Sequence, residues 1–148
     1  MSAAHIHLLL NHIPILGTIF GLLLLLYGML KGSDDIKRAS LWAFVITALI
    51  TIPVYLTGDG AALIVRDLPG VSREIIRRHD DAATFTIIAI EILGAVSLLG
   101  LWQARKTRII ARWALIAALA LAVIGSGLAM WTGNLGGQVR HTEIRPGA

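Results

Sequence analysis

Residues 6–30 read IHLLLNHIPILGTIFGLLLLLYGML, 25 positions without one Asp, Glu, Lys or Arg. A helix rises about 1.5 Å per residue and a bilayer core is about 30 Å thick, so roughly 20 apolar residues cross it. This run is long enough to span. It does not read as a cleavable signal peptide. No Lys or Arg precedes it, it outruns an h-region, and no small-residue cleavage site follows.

Three further apolar runs follow, at about Leu41–Leu56, Ala82–Trp102 and Trp113–Thr132. The first of these is short and is expected to extend through Gly58 to Val65, kinked where Pro53 lacks a backbone donor. Pro14 should disturb the first helix near its start in the same way. Before the third run, Pro69-Gly70 reads as a turn, Ser72 as an N-cap and Val71–Arg78 as an amphipathic helix that continues into the span. The expected spans are thus about 6–30, 41–65, 72–103 and 112–133. No segment alternates apolar and polar residues, so a β-barrel is excluded. The fold class is all-α: an integral membrane four-helix bundle forming one domain, with no internal repeat.

Composition agrees. Hydrophobic residues make up 56% and charged residues 15% of 148 residues, against about 25% charged in a soluble domain. With no cysteine there is no disulfide, thiolate metal site, iron–sulfur cluster or c-type haem attachment. The net charge of +4 needs no nucleic acid to explain it, because the basic residues sit in short connections beside the apolar runs.

Those connections orient the bundle. Lys31–Ala39 holds Lys31, Lys37 and Arg38, and Gln103–Arg112 holds Arg105, Lys106, Arg108 and Arg112. Short basic loops stay in the cytoplasm, so both are expected inside and both termini outside, N-out/C-out. Trp42, Trp102, Trp113 and Tyr27 then mark the inner interface, and Tyr55 and Trp131 the outer one. A multi-pass protein of a bacterial inner (cytoplasmic) membrane is expected.

All five histidines then fall on the outer side: His5, His7 and His12 on the first helix, His79 on the third, His141 after the fourth. Neutral imidazole binds haem iron or other metals through one ring nitrogen. A bis-histidine haem needs ligands from different helices, and His12 with His79 is the best pair on depth. His5 and His12, seven residues apart, share a helix face, whereas His7 and His12 diverge by roughly 140°. Gly17, Gly125, Gly127 and Ala129 would leave room for a macrocycle, and Arg77, Arg78 and Arg140 lie where propionates would be held. The plain alternatives are interfacial histidines, glycines at helix contacts and arginines at lipid headgroups. Glu91, near the middle of the third span, is a functional candidate by depth alone. It is either a relay group or a structural hydrogen-bond partner of Thr47, Thr51 or Ser126.

The run His7-Leu-Leu-Leu-Asn-His12-Ile13-Pro14 resembles the opening signature of a bacterial four-helix membrane family known as domain of unknown function 2231. Thr57-Gly58 at the end of the second helix, His79-Asp80-Asp81 at the start of the third, and Gly136-Gly137 followed by His141 extend the resemblance over nearly the whole chain. Ile13 departs from the pattern, standing where an aromatic residue is common. The resemblance implies a haem-b-binding or redox role for His7, His12, His79 and His141. It also implies electron transfer at the outer face, since some members are joined to Rieske-type domains. No such domain follows His141 here, so a separate partner would exchange the electron.

The leading expectation is a cytochrome-b-like subunit with one or two b-type haems, exchanging electrons between a quinone and an outer redox protein or larger membrane complex. No nucleophile–base pair, phosphate loop or paired-carboxylate site points to independent catalysis. The alternatives are a non-haem metal site built from His7, His12, His79 and His141 with Asp80 or Glu143, and a cofactor-free accessory subunit.

Overall fold

A computed structural model of the chain describes residues 2–145. The α-helices are α1 (Ala3–Leu10), α2 (His12–Leu30), α3 (Asp34–Val65), α4 (Arg73–Thr107) and α5 (Arg112–Arg140), followed by a 3-10 turn at Thr142–Ile144. Helices α1 and α2 form one rod, Ala3–Leu30. With α3, α4 and α5 it gives four helices long and apolar enough to cross a membrane.

The break between α1 and α2 has a local cause. Pro14 has no N–H for the carbonyl of Leu10, so the ladder skips one bond at Asn11. Asn11 keeps helical angles, φ −61 and ψ −20, so the rod continues. Pro53 leaves α3 unbroken. Thr57 Oγ lies 2.7 Å from the Pro53 carbonyl and 3.1 Å from that of Val54, and donates to this turn.

The two expected inner connections are mostly helical. Helix α3 begins at Asp34 rather than near Leu41, because Ser33 caps it by accepting from the amide of Ile36 at 3.4 Å. Asp34 and Asp35 in the first turn complement the positive helix end. Only Lys31–Ser33 remains as a turn, with Gly32 at φ +65. Helix α4 likewise runs on to Thr107 and stops at Arg108, which takes the left-handed φ of 62. Arg38 of α3 donates to the Arg108 carbonyl at 2.7 Å, so the two turns meet at one end of the bundle. At its other end α4 starts as the sequence indicates, Ser72 accepting from the amide of Ile75 at 3.4 Å.

Helix α3 packs against α2 and α4, and α5 against α4 and α2, while α1 lies on α3. The four rods therefore form a closed up-down square in which the first and third spans are diagonal. The termini and the loop Arg66–Ser72 share the other end, hereafter the terminal end. There Arg145 donates to the Gly70 carbonyl at 2.8 Å.

The core is unevenly composed. Leu25, Leu41, Phe44, Leu93, Leu101, Ala114 and Ala118 fill the half nearer the turns. Small residues bring the helices close, as where Gly94 meets Ala48 and Gly100 meets Ala114. The half nearer the termini buries Thr51, Thr86 and Gln138, and the half nearer the turns buries Ser40 and Ser97. Large apolar side chains cover the outside, and all six Trp and Tyr residues named above are exposed. That pattern belongs to a multi-pass membrane protein.

Candidate functional site

His7 on α1 and His79 on α4 both turn into the terminal half of the bundle, each half-buried. The Nδ1 atom of His7 lies 2.9 Å from the carbonyl oxygen of Val54 on α3. That of His79 lies 3.0 Å from the carbonyl oxygen of Thr132 on α5. A carbonyl only accepts, so Nδ1 carries the proton in each ring and Nε2 keeps its lone pair. The two rings lie within electrostatic reach of each other. Both diagonals of the square meet here: the imidazoles come from one, the carbonyls from the other.

The same local device occurs twice. Each accepting carbonyl stands four residues before a glycine, Val54 before Gly58 and Thr132 before Gly136. Residues four apart share a helix face, so a side chain at the later position would stand over that carbonyl. A Cβ on Gly58 would lie 3.7 Å from His7 Cε1. A Cβ on Gly136 would lie 3.1 Å from His79 Cε1 and 3.3 Å from its Nδ1. Thr132 is itself braced, its Oγ lying 2.8 Å from that of Thr86.

The other sequence candidates are placed differently. His12 is exposed, and so is His5. Their shared face is as expected, but it is the outward face, and the inward one carries His7. Depth alone suggested His12 as the partner of His79; depth does not report which way a helix faces. His141 is exposed and pairs with Glu143, Nδ1 to Oε1, at 2.9 Å. Arg77 is exposed and paired with Glu74 at 3.0 Å and Asp81 at 3.8 Å. Arg78 and Arg140 are exposed. Gly17 serves packing, against Thr47 of α3, and Gly125 lies near Thr18 and Ile90. Nothing lies within 4 Å of a Cβ built on Gly127.

Among the described residues, no three His, Cys, Asp or Glu side chains gather as a metal cage. His7 and His79 share the terminal half of the bundle, and His12 and His141 stay on the surface. Glu91 makes no hydrogen bond to Thr47, Thr51 or Ser126, and its Oε1 is buried without a partner.

Sequence reasoning passed over the two accepting carbonyls, since every residue carries one. The one sequence trace is a glycine four residues after each carbonyl, Gly58 and Gly136.

No curated protein and no solved structure matches the chain. A family profile does, over residues 3–143, and its extent takes in all four spans together with His7, Gly58, His79 and Gly136. The chain belongs to the family described as predicted membrane protein (DUF2231).

Proposed function

We propose that this membrane protein holds a b-type haem between His7 and His79 and serves as an electron-transfer subunit. One observation carries the reading. Two imidazoles on diagonal helices each have Nδ1 tied to a backbone carbonyl, which leaves both Nε2 lone pairs available to ligate iron. Metal-ligating histidines characteristically give their second nitrogen to such a partner, which fixes tautomer and ring orientation. The donor set fits haem iron, which accepts two axial imidazoles. Gly58 and Gly136 give the rings their space, and Arg78 and Arg140 at the terminal end are cations suited to propionates. Bound there, haem would supply a reversible one-electron couple. The protein's part is to hold both rings, exclude bulk water and set the polarity around them.

Charge supports an orientation with this site on the outer side. The turn end carries seven Lys and Arg against two acids, and the terminal end six against six. Short basic loops remain in the cytoplasm, so the termini lie outside, in a bacterial inner membrane. A groove of about 430 Å³ at the terminal end, lined by Ala62, Leu63 and Ile76 with Asp59, Arg66 and Arg73, suits a quinone as one redox partner. A separate redox protein or larger membrane complex would be the other.

The test is a reduced-minus-oxidised absorbance spectrum of the full chain, purified in mild detergent from cells supplied with haem. An α band typical of low-spin b-type haem supports the reading. No such band at full haem supply refutes it, and bound copper or zinc instead would move the site to non-haem chemistry.

A further inference from the structure

Glu91 is the nineteenth residue of α4, about 27 Å of helix from Arg73 and about 24 Å from Thr107. It is therefore central in its span. Its neighbours along the outer face of α4, Ile88, Ile92 and Leu98, are exposed apolar side chains. Its Oε1 is buried and makes no hydrogen bond. An ionisable group at that depth is expensive and calls for a role. Its Oε1 has no hydrogen-bond partner among the described residues that would give it a structural role.

Polar groups line the α3–α4 seam between Glu91 and the terminal end. Asp80, Thr84 and Glu91 recur on one side of α4, since four and seven residues return to nearly the same face. Asp80 is exposed at the terminal end. Thr84 Oγ donates to the Asp80 carbonyl at 3.2 Å. The Tyr55 hydroxyl crosses from α3 to meet Thr84 Oγ at 3.1 Å. A helical side chain leans toward the N-terminus, so the Glu91 carboxyl lies on the Thr84 side of its own turn, with about 10 Å of helix between the two residues. On the other side the seam is shut, where Gly94 packs on Ala48 of α3.

We propose that Glu91 is a reversible proton-binding site at the bilayer midplane, open to the terminal-end surface along the α3–α4 seam through Tyr55, Thr84 and Asp80. The bare carboxyl takes a proton from that surface and returns it there, and the Gly94–Ala48 contact blocks passage to the turn end. Of the elements packed against α4, helix α3 presents Tyr55 as its one ionisable group at membrane depth. Its charged residues stand at its two ends, and α5 carries Arg112 and Arg140 at its ends. On α4 itself His79, Asp80 and Asp81 lie toward the surface. The site is independent of any haem at His7 and His79.

The experiment uses the full chain in liposomes and a hydrophobic carbodiimide. The reagent adds to a protonated carboxylic acid. The acid's proton goes to one nitrogen and its oxygen to the central carbon, and an O-to-N acyl shift leaves a stable acylurea found by peptide mapping. The expected result is modification at Glu91, absent in Glu91→Gln, not reproduced by a water-soluble carbodiimide, and slowing at least tenfold between about pH 5 and about pH 9. The route is read separately from the infrared carboxylic-acid band lost in Glu91→Gln. Its hydrogen–deuterium exchange should slow at least tenfold in Thr84→Val/Tyr55→Phe. Labelling of surface carboxylates without Glu91, a rate unaffected by pH, or unchanged exchange in the double variant each overturns the proposal. Labelling of Glu91 in detergent but not in liposomes also overturns it, placing the residue in an interface with another membrane helix.

Discussion

Replacing Gly136 and Gly58 by alanine separately should split two effects that the structure puts in different proportions. At Gly136 the new Cβ would stand 3.1 Å from Cε1 and 3.3 Å from Nδ1 of His79. Ordinary contacts need about 3.5–4.0 Å, so the ring must retreat by about 0.5 Å. The Nδ1–Thr132 hydrogen bond, now 3.0 Å, would stretch to about 3.5 Å, where it ceases to count. Losing it costs about 1 kcal/mol, and alanine in place of glycine returns about 1 kcal/mol of helix propensity. Gly136→Ala should thus unfold near the wild-type midpoint. At Gly58 the Cβ meets His7 Cε1 at 3.7 Å, an ordinary contact. The hydrogen bond survives, and Gly58→Ala should gain up to about 1 kcal/mol. Haem affinity should divide the other way, falling about tenfold or more in Gly136→Ala, because the nitrogen that orients the ligand loses its partner, and little in Gly58→Ala. Equilibrium unfolding in detergent gives the first quantity and haem titration the second. ¹⁵N-imidazole resonances report the Nδ1–H bonds without haem. Equal effects of the two alanines on the His79 and His7 resonances would refute the argument.

Other consequences are simpler to read. Arg145 donates to the carbonyls of Gly70, Gln138 and Val139, tying the C-terminal segment to the loop Arg66–Ser72. Arg145→Ala should cost about 1–2 kcal/mol and raise hydrogen exchange in that loop while the spans stay protected. Ser72→Ala removes the α4 cap and should cost about 1 kcal/mol in the same unfolding assay. Glu143 is held below its ordinary range by its own backbone amide and then by the His141 ring. A depressed carboxyl stabilises the fold above its unfolded value and stops doing so as pH falls through the folded one. Protection of the amides at residues 141–145, measured against the intrinsic exchange rate at each pH, should therefore be flat through neutrality and fall only at acid pH below the ordinary carboxylate range.

Legibility divided along a physical line. Span number, helix type and the Ser72 start were readable because they rest on local quantities: apolar length, missing charge, and a turn followed by a cap. The α3 start was readable in principle from Ser33-Asp34-Asp35 and was missed because hydropathy, rather than capping, set the boundary. The histidine pair was half legible. His79 follows from position in α4, but choosing between His7 and His12 requires knowing which face of the first helix meets α3. An apolar sequence hides that, because lipid and core present the same polarity. Glu91 was legible by depth, while its lack of a partner is a fact of packing. The accepting carbonyls of Val54 and Thr132 leave no side-chain trace except the glycines four residues later.

The measurement closest to the central claim compares the reduced-minus-oxidised spectra of His7→Ala and His12→Ala, with wild type and His79→Ala beside them. The account predicts that His7→Ala and His79→Ala each lose the low-spin b-type α band while His12→Ala keeps it. A band lost in His12→Ala and retained in His7→Ala would contradict it.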